Sequence, residues 1–340
     1  MDTRKTTFSA PGKIILFGEH AVVYGHPAIV TAIDLRTRCI VSKSLQNEVQ
    51  LSISSDYLFN EPSTGLKKNY IMSKEQNEFI TQDSKYEQPV NPSYYFITKT
   101  ILDLVTSKKY PHIHVNSQIP PGIGLGSSAA SAVATLASLS TFMELELSIK
   151  EINKLAFEAE EIIHGKPSGV DNTISTYGGI QLYKEKKFSK LSIPNFSSYV
   201  VIVNSGIPRS TKTYVEKVAK SLEKDTSKYK NILEEIGNLT LIAKSSLIEG
   251  NIQELGKLMT QNHLLLEKLG VSHPVLTELT NSLLQLGSVG SKLTGAGGGG
   301  CIIGLFEDYQ KANRAVEEMK SRGFQAFISR LAERGVQVEQ

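Results

Sequence analysis

Apolar residues along this chain recur in two periods, one of about two residues and one near 3.6, and these periods predict most of its elements. Short β-branched runs at Ile14–Phe17, Ala28–Asp34, Thr37–Ser42 and Tyr199–Asn204 predict strands. Glu48–Ser54 and His112–Ser117 alternate apolar and polar residues, as strands with one wet face do. Helical spacing marks Ser93–Thr106, behind Asn91 as a cap and Pro92 as a first-turn proline. Ser127–Leu139 is a helix of small and apolar residues, and Ser148 with Glu151 forms a capping box for a helix reaching Ile163. Gly178 and Gly179 close a short helical segment, and Ile180–Tyr183 with Phe188–Ile193 predict a hairpin. Residues 211–269 are helical in pattern, with breaks near Thr226 and Gly250, and Ser272 with Pro274 starts another helix. Ser291–Leu305 reads as strand, glycine turn and strand, followed by a helix at Asp308–Arg322 and a strand at Gln325–Leu331. Residues 56–90 show little periodicity and read as an excursion or flap.

Strands and helices mix in both halves without a regular βαβ repeat, so the expected class is α+β rather than a doubly wound sheet. A chain of 340 residues favours two domains. Pro194–Ser198 is a linker in composition, and Tyr199 opens a fresh strand, which divides the chain into 1–196 and 197–340.

Composition narrows the function classes. With 40% hydrophobic and 21% charged residues the chain is an ordinary globular protein. Its 37 basic and 34 acidic residues leave a net charge of +3, too weak a field to argue for nucleic acid or a membrane surface. The N-terminal segment lacks an apolar signal core, and no apolar run reaches the roughly 18 residues of a membrane span. Cys39 and Cys301 are too far apart for metal or redox spacing and read as buried thiols, a usage that suits the cytoplasm. His112 and His114 share a strand face with no third ligand nearby and read as surface residues.

Four segments carry candidate chemistry. Ile119–Ala130, IPPGIGLGSSAA, is a glycine-rich loop opening a helix. Free backbone N–H groups and the positive helix end make such a loop a phosphate site, or else it is a tight turn into a close-packed helix. It does not spell GxxxxGK[ST], so the P-loop lysine mechanism is not in use. Ser9–Tyr24, SAPGKIILFGEHAVVY, sets Lys13 before a strand and Glu19 and His20 in the turn beyond, either as a fixed ammonium at a pocket or as a solvated turn. Glu158–Asn172, EAEEIIHGKPSGVDN, breaks a glutamate-rich helix into a constrained loop bearing Ser168 and Asp171. One inward glutamate there suits Mg²⁺, which prefers oxygen ligands, and Asp171 suits proton acceptance from a hydroxyl; a solvated acidic face is the alternative. Ser291–Cys301 contains four consecutive glycines, Gly297–Gly300, which suit close backbone approach or a flexible turn. Together these are the parts of a phosphoryl-transfer site, a reaction that asks mainly for positioning and charge neutralisation.

In this order, APGKIILFGEHAVVYG, PPGIGLGSSAA, HGKPSGVDN and KLTGAGGGGC, with IPRSTK at 207–212, resemble the motifs of the GHMP kinase superfamily, most closely its mevalonate-phosphorylating branch. The resemblance runs from about residue 8 to 330 and leaves only 56–90 unaligned. It implies two α+β domains, the first ribosomal-protein-like and the second ferredoxin-like, with the active site in the cleft between them. It also implies ATP- and Mg²⁺-dependent phosphorylation of the 5-hydroxyl of mevalonate. Asp171 is then the expected base, and Lys13 stabilises the developing alkoxide. Glu160 and Ser128 hold Mg²⁺, with Glu161 the competing choice for the carboxylate. Pro120, Gly122, Gly124, Leu125, Gly126, Ser127, Ser128 and Ala129 cradle the phosphates. Glu19, His20, Ser168 and Thr211 help bind substrate or triphosphate, and the Gly295–Gly299 turn, with Gly295 and Ala296 at the substrate, supports the cleft and touches the phosphates. Mevalonate and ATP are the implied partners, in the cytoplasm, with a homodimer left open.

Overall fold

The first lobe grows from two long antiparallel strands, β1 (Lys5–Phe17) and β2 (Ala28–Lys43). The computed structural model describes residues 4–46, 48–55, 68–73, 78–81, 90–106, 109–193 and 198–339. The two strands expected at Ala28–Asp34 and Thr37–Ser42 are one, because β2 changes partner along its length. Its residues 28–31 pair with β7 (Ile180–Lys184), and its residues 37–43 pair with β6 (Pro111–Ser117). Single-strand patterning does not register a change of partner. The excursion at 56–90 is also more ordered than expected. It contains β4 (Lys68–Ser73), which extends β3 (Gln50–Ser55), and β5 (Glu78–Thr81), which extends β4. The remainder of that excursion, and the linker at 194–197, lie outside the described residues. Among the described residues this sheet has nine strands, with β8 (Lys187–Leu191) completing the expected hairpin with β7.

Helices α1 (Ser93–Asp103), α2 (Ser127–Phe142), α3 (Ile149–His164) and α4 (Val170–Tyr177) belong to this lobe. Asn91 accepts a bond from the Ser93 N–H at 3.0 Å, although Pro92 rather than Asn91 takes the N-cap position of α1. The capping box of Ser148 and Glu151 forms at the start of α3. Alanines and serines make up most faces of α2, and it is buried almost throughout, as a helix without a polar stripe should be. Its small side chains let it lie directly on β1 and β2.

The second lobe runs β9 (Tyr199–Asn204), α5 (Thr211–Lys224), α6 (Thr226–Ile248), α7 (Ile252–Lys268), α8 (Pro274–Gln285), β10 (Gly290–Thr294), β11 (Cys301–Phe306), α9 (Tyr309–Ser321) and β12 (Gln325–Ser329). Its antiparallel sheet is ordered β10-β11-β9-β12, the ferredoxin-like arrangement of two split βαβ units. The chain then crosses back. Ala332 donates to the Ala32 carbonyl at 2.9 Å, and β13 (Gln337–Val338) pairs with β1. Both cysteines are buried and unpaired, and burial pushes their thiols up to about 12. Among the described residues no helix is long and apolar enough to cross a membrane.

Candidate active site

The register of β1 against β2 shifts between Pro11 and Lys13 and again between Ile15 and Phe17, which isolates a short segment beginning at Lys13. Such irregularities re-aim side chains. The backbone N–H of Lys13 donates to the Leu125 carbonyl at 2.8 Å, tying the strand to the glycine loop. Gly12 makes that approach possible, since a Cβ there would lie 2.7 Å from the same Leu125 oxygen. Lys13 is 5% exposed, and its ammonium meets Asp171 Oδ1 at 3.2 Å. An ammonium that deeply buried is tolerable because it is paired. Asp171 sits in the first turn of α4, and Ser175 on the same helix donates to the Pro11 carbonyl at 2.8 Å, so α4 is pinned to the strand that carries Lys13.

The glycine loop leads into α2 through Gly122, Gly124 and Gly126, all at positive φ. Gly126 is the N-cap, not either serine, and no side chain caps the helix, so its first N–H groups are free of side-chain acceptors. Pro120, Leu125 and Ala129 are buried beneath the loop, while Gly122 is exposed. Ser127 donates weakly to the Ile119 carbonyl at 3.4 Å. Ser128 points to α3, where Glu160 is 3% exposed and Glu161 is exposed. Burial holds the Glu160 carboxyl above the usual carboxylate range, opposed by the neighbouring Ser128 hydroxyl. Glu160 Oε1 is buried without a hydrogen-bond partner, and Oε2 lies 3.5 Å from His164 Nε2.

Arg209, in the IPRSTK segment, sits between the two glycine-rich loops. A Cβ on Gly124 would lie 2.1 Å from its Cζ, and one on Gly295 would lie 2.6 Å from its Nη1. Both glycines therefore make room for one guanidinium, which sequence analysis passed over because Arg209 belongs to no glycine loop. The nearby Thr211 is exposed at the start of α5, and Ser168 is exposed at the opposite loop, accepting from the Val170 N–H at 3.4 Å.

Glu19 lies in the turn after β1. It is 1% exposed, its Oε1 is paired with the Lys292 ammonium and its Oε2 accepts from Asn262 Nδ2 at 3.1 Å. His20 Nε2 donates to the Ala296 carbonyl at 2.9 Å, and burial lowers its pKa, keeping the ring neutral. Thus Lys13, Asp171, Ser128 and Glu160 converge with the glycine loop, whereas Glu19 and His20 face the seam between the lobes.

Comparison with known proteins decides the kinship. The GHMP kinases N terminal domain matches residues 96–179, and the GHMP kinases C terminal domain matches residues 243–325. The mevalonate kinase of Pyrococcus abyssi is 37% identical over 98% of this chain and 97% of its own length. The chain belongs to the mevalonate kinase family of GHMP kinases. Two solved members of this family superpose over nearly the whole chain. The Methanococcus jannaschii mevalonate kinase gives a TM-score of 0.78 at 29% identity, covering 97% of this chain and 99% of that one. The L. major mevalonate kinase, solved with R-mevalonate, gives 0.77 at 26%, covering 97% and 96%.

As a member of the mevalonate kinase family, the protein requires ATP and Mg²⁺. Its residues fit the cation: a buried carboxylate oxygen with no partner, beside a hydroxyl, is the hard oxygen donor set that Mg²⁺ takes.

Proposed function

We infer that the protein transfers the γ-phosphoryl group of ATP to the 5-hydroxyl of (R)-mevalonate, giving 5-phosphomevalonate and ADP, in the mevalonate pathway and in the cytoplasm. The observation that carries this reading is the pair of buried Lys13 with Asp171 at 3.2 Å, beside Glu160 at the mouth of an uncapped, glycine-rich helix N-terminus. Asp171 accepts the hydroxyl proton as the alcohol oxygen attacks the γ-phosphorus. The bond from that phosphorus to the bridging oxygen breaks, and ADP leaves with the electron pair. Lys13 neutralises the alkoxide as it forms, from a position fixed before substrate arrives. Backbone N–H groups from Gly122 to Ala129 hold the phosphates over Pro120, with the α2 dipole behind them. Arg209 supplies a further positive charge to the phosphates from the second lobe. Ser168, Thr211 and the turn at Gly295 and Ala296 line the approach to the cleft, with His20 supporting that turn. Glu160 and Ser128 would hold Mg²⁺, which when bound offsets the charge of the β- and γ-phosphates.

The reading is tested with a panel of alcohols. ATP consumption with mevalonate should exceed that with galactose, homoserine and phosphomevalonate; preference for any of these overturns the substrate assignment. A readout of ATP consumption also separates a kinase from a binding protein that has lost its chemistry.

Glu160 gives a sharper test. Its raised pKa means that a proton competes with Mg²⁺ at higher pH than at an ordinary carboxylate. The Mg²⁺ concentration for half-maximal rate should therefore rise as pH falls through the mildly acidic range. In Glu160→Gln that requirement should rise roughly tenfold or more and lose its pH dependence. An unchanged requirement would move the role to Glu161.

A further inference from the structure

Lys292 lies on β10 and is fully buried, and its ion-pair partner Glu19 lies in the turn after β1, on the other lobe. Burial pushes the Lys292 ammonium below the usual lysine range, and the Glu19 charge pulls it back. Two such charges are tolerated only when they meet, because removing either leaves the other buried and unpaired. The pair is therefore made in one relative placement of the two sheets. Neighbouring contacts hold that same placement. Thr294 Oγ1 accepts from the Ile15 N–H and donates to the Ile15 carbonyl, both at 3.0 Å. His20 donates to the Ala296 carbonyl at 2.9 Å. From α7, Asn262 satisfies the second Glu19 oxygen, and His263, its pKa lowered to about 4 by burial, brings no competing cation.

The seam sits between two parts of the site. On one side β1 carries Lys13; on the other, β10 runs straight into the turn at Gly295–Gly300 that seats Arg209. We propose that Lys292 is a positioning residue for phosphoryl transfer: through its ion pair with Glu19 it locks the glycine turn of the second lobe in register with the strand that carries Lys13. The proposal rests on the phosphoryl-transfer reading above. It touches neither reacting atom, so its effect is on the alignment of groups that do.

The test uses the full chain with Glu19→Gln and Lys292→Met combined, which removes both charges and leaves neither uncompensated. Three quantities are read: turnover, the dissociation constant for ATP, and amide hydrogen exchange across residues 295–300. The double variant should lose about tenfold or more in kcat while ATP affinity stays within about threefold, since small misplacements cost rate more than binding. Amides of the glycine turn should exchange roughly tenfold faster, and those of α2 should not change. Wild-type turnover overturns the proposal. So does lower turnover with unchanged exchange, or faster exchange with unchanged turnover. Should the double variant fail to fold, Glu19→Asp, which keeps both charges and shortens the reach of the pair, must show the same coupled changes or the proposal falls. If mevalonate proves not to be the substrate, the exchange measurement still reports on the lock, so the two failures are told apart.

Discussion

Asp171→Asn is expected to lower kcat by about 10²–10⁴-fold, the usual contribution of a positioned general base, and to leave ATP binding nearly intact. The amide keeps the shape of the side chain and cannot accept the hydroxyl proton as a carboxylate does. Asp171 stands in the first turn of α4, and that helix is held in place by Ser175 and by Asn172, whose amide donates to Asn153 Oδ1 at 2.8 Å. None of those contacts passes through the Asp171 carboxylate, so α4 should keep its place, while the buried Lys13 ammonium loses its partner and the variant should be less stable than the wild type. Steady-state turnover together with calorimetric titration of ATP checks both parts. Near-normal turnover would remove Asp171 from the chemistry.

Lys13→Met should lower kcat by about 10²–10³-fold, the range found when one preorganised charge-stabilising group is lost. Methionine matches the length of the buried stem, and the backbone bond from Lys13 to Leu125 remains, so the glycine loop should keep its place. Because Lys13 and Asp171 form one ion pair, their losses should not add. A double variant only slightly slower than the worse single variant is expected. Fully additive losses would mean that the two side chains act independently, against the paired geometry.

Much of the site was legible because its chemistry is local. The glycine loop, the capping box at Ser148 and the constrained loop before Asp171 are short-range patterns, and each formed where the residues implied. Choosing between Glu160 and Glu161 needed the helix placed on its neighbours, since adjacent residues on a helix face different ways and only packing says which way is inward. The partner of Glu19 is legible only in the tertiary structure. Nothing near that carboxylate in sequence reveals that Lys292, far along the chain, is paired with it. Arg209 was missed because its importance lies in two glycines, Gly124 and Gly295, that leave room for it from distant segments.

By itself the sequence determined the class of elements, the caps and turns, the phosphate-type loop and the residue types for phosphoryl transfer, because these depend on propensity and on spacing within a few turns. Tertiary structure alone decided that β2 is one strand with two partners, that residues 337–338 return to the first sheet, and that a buried ion pair joins the two lobes. Those features rest on contacts between residues far apart in the sequence, whose free energy appears only once both sides are desolvated together.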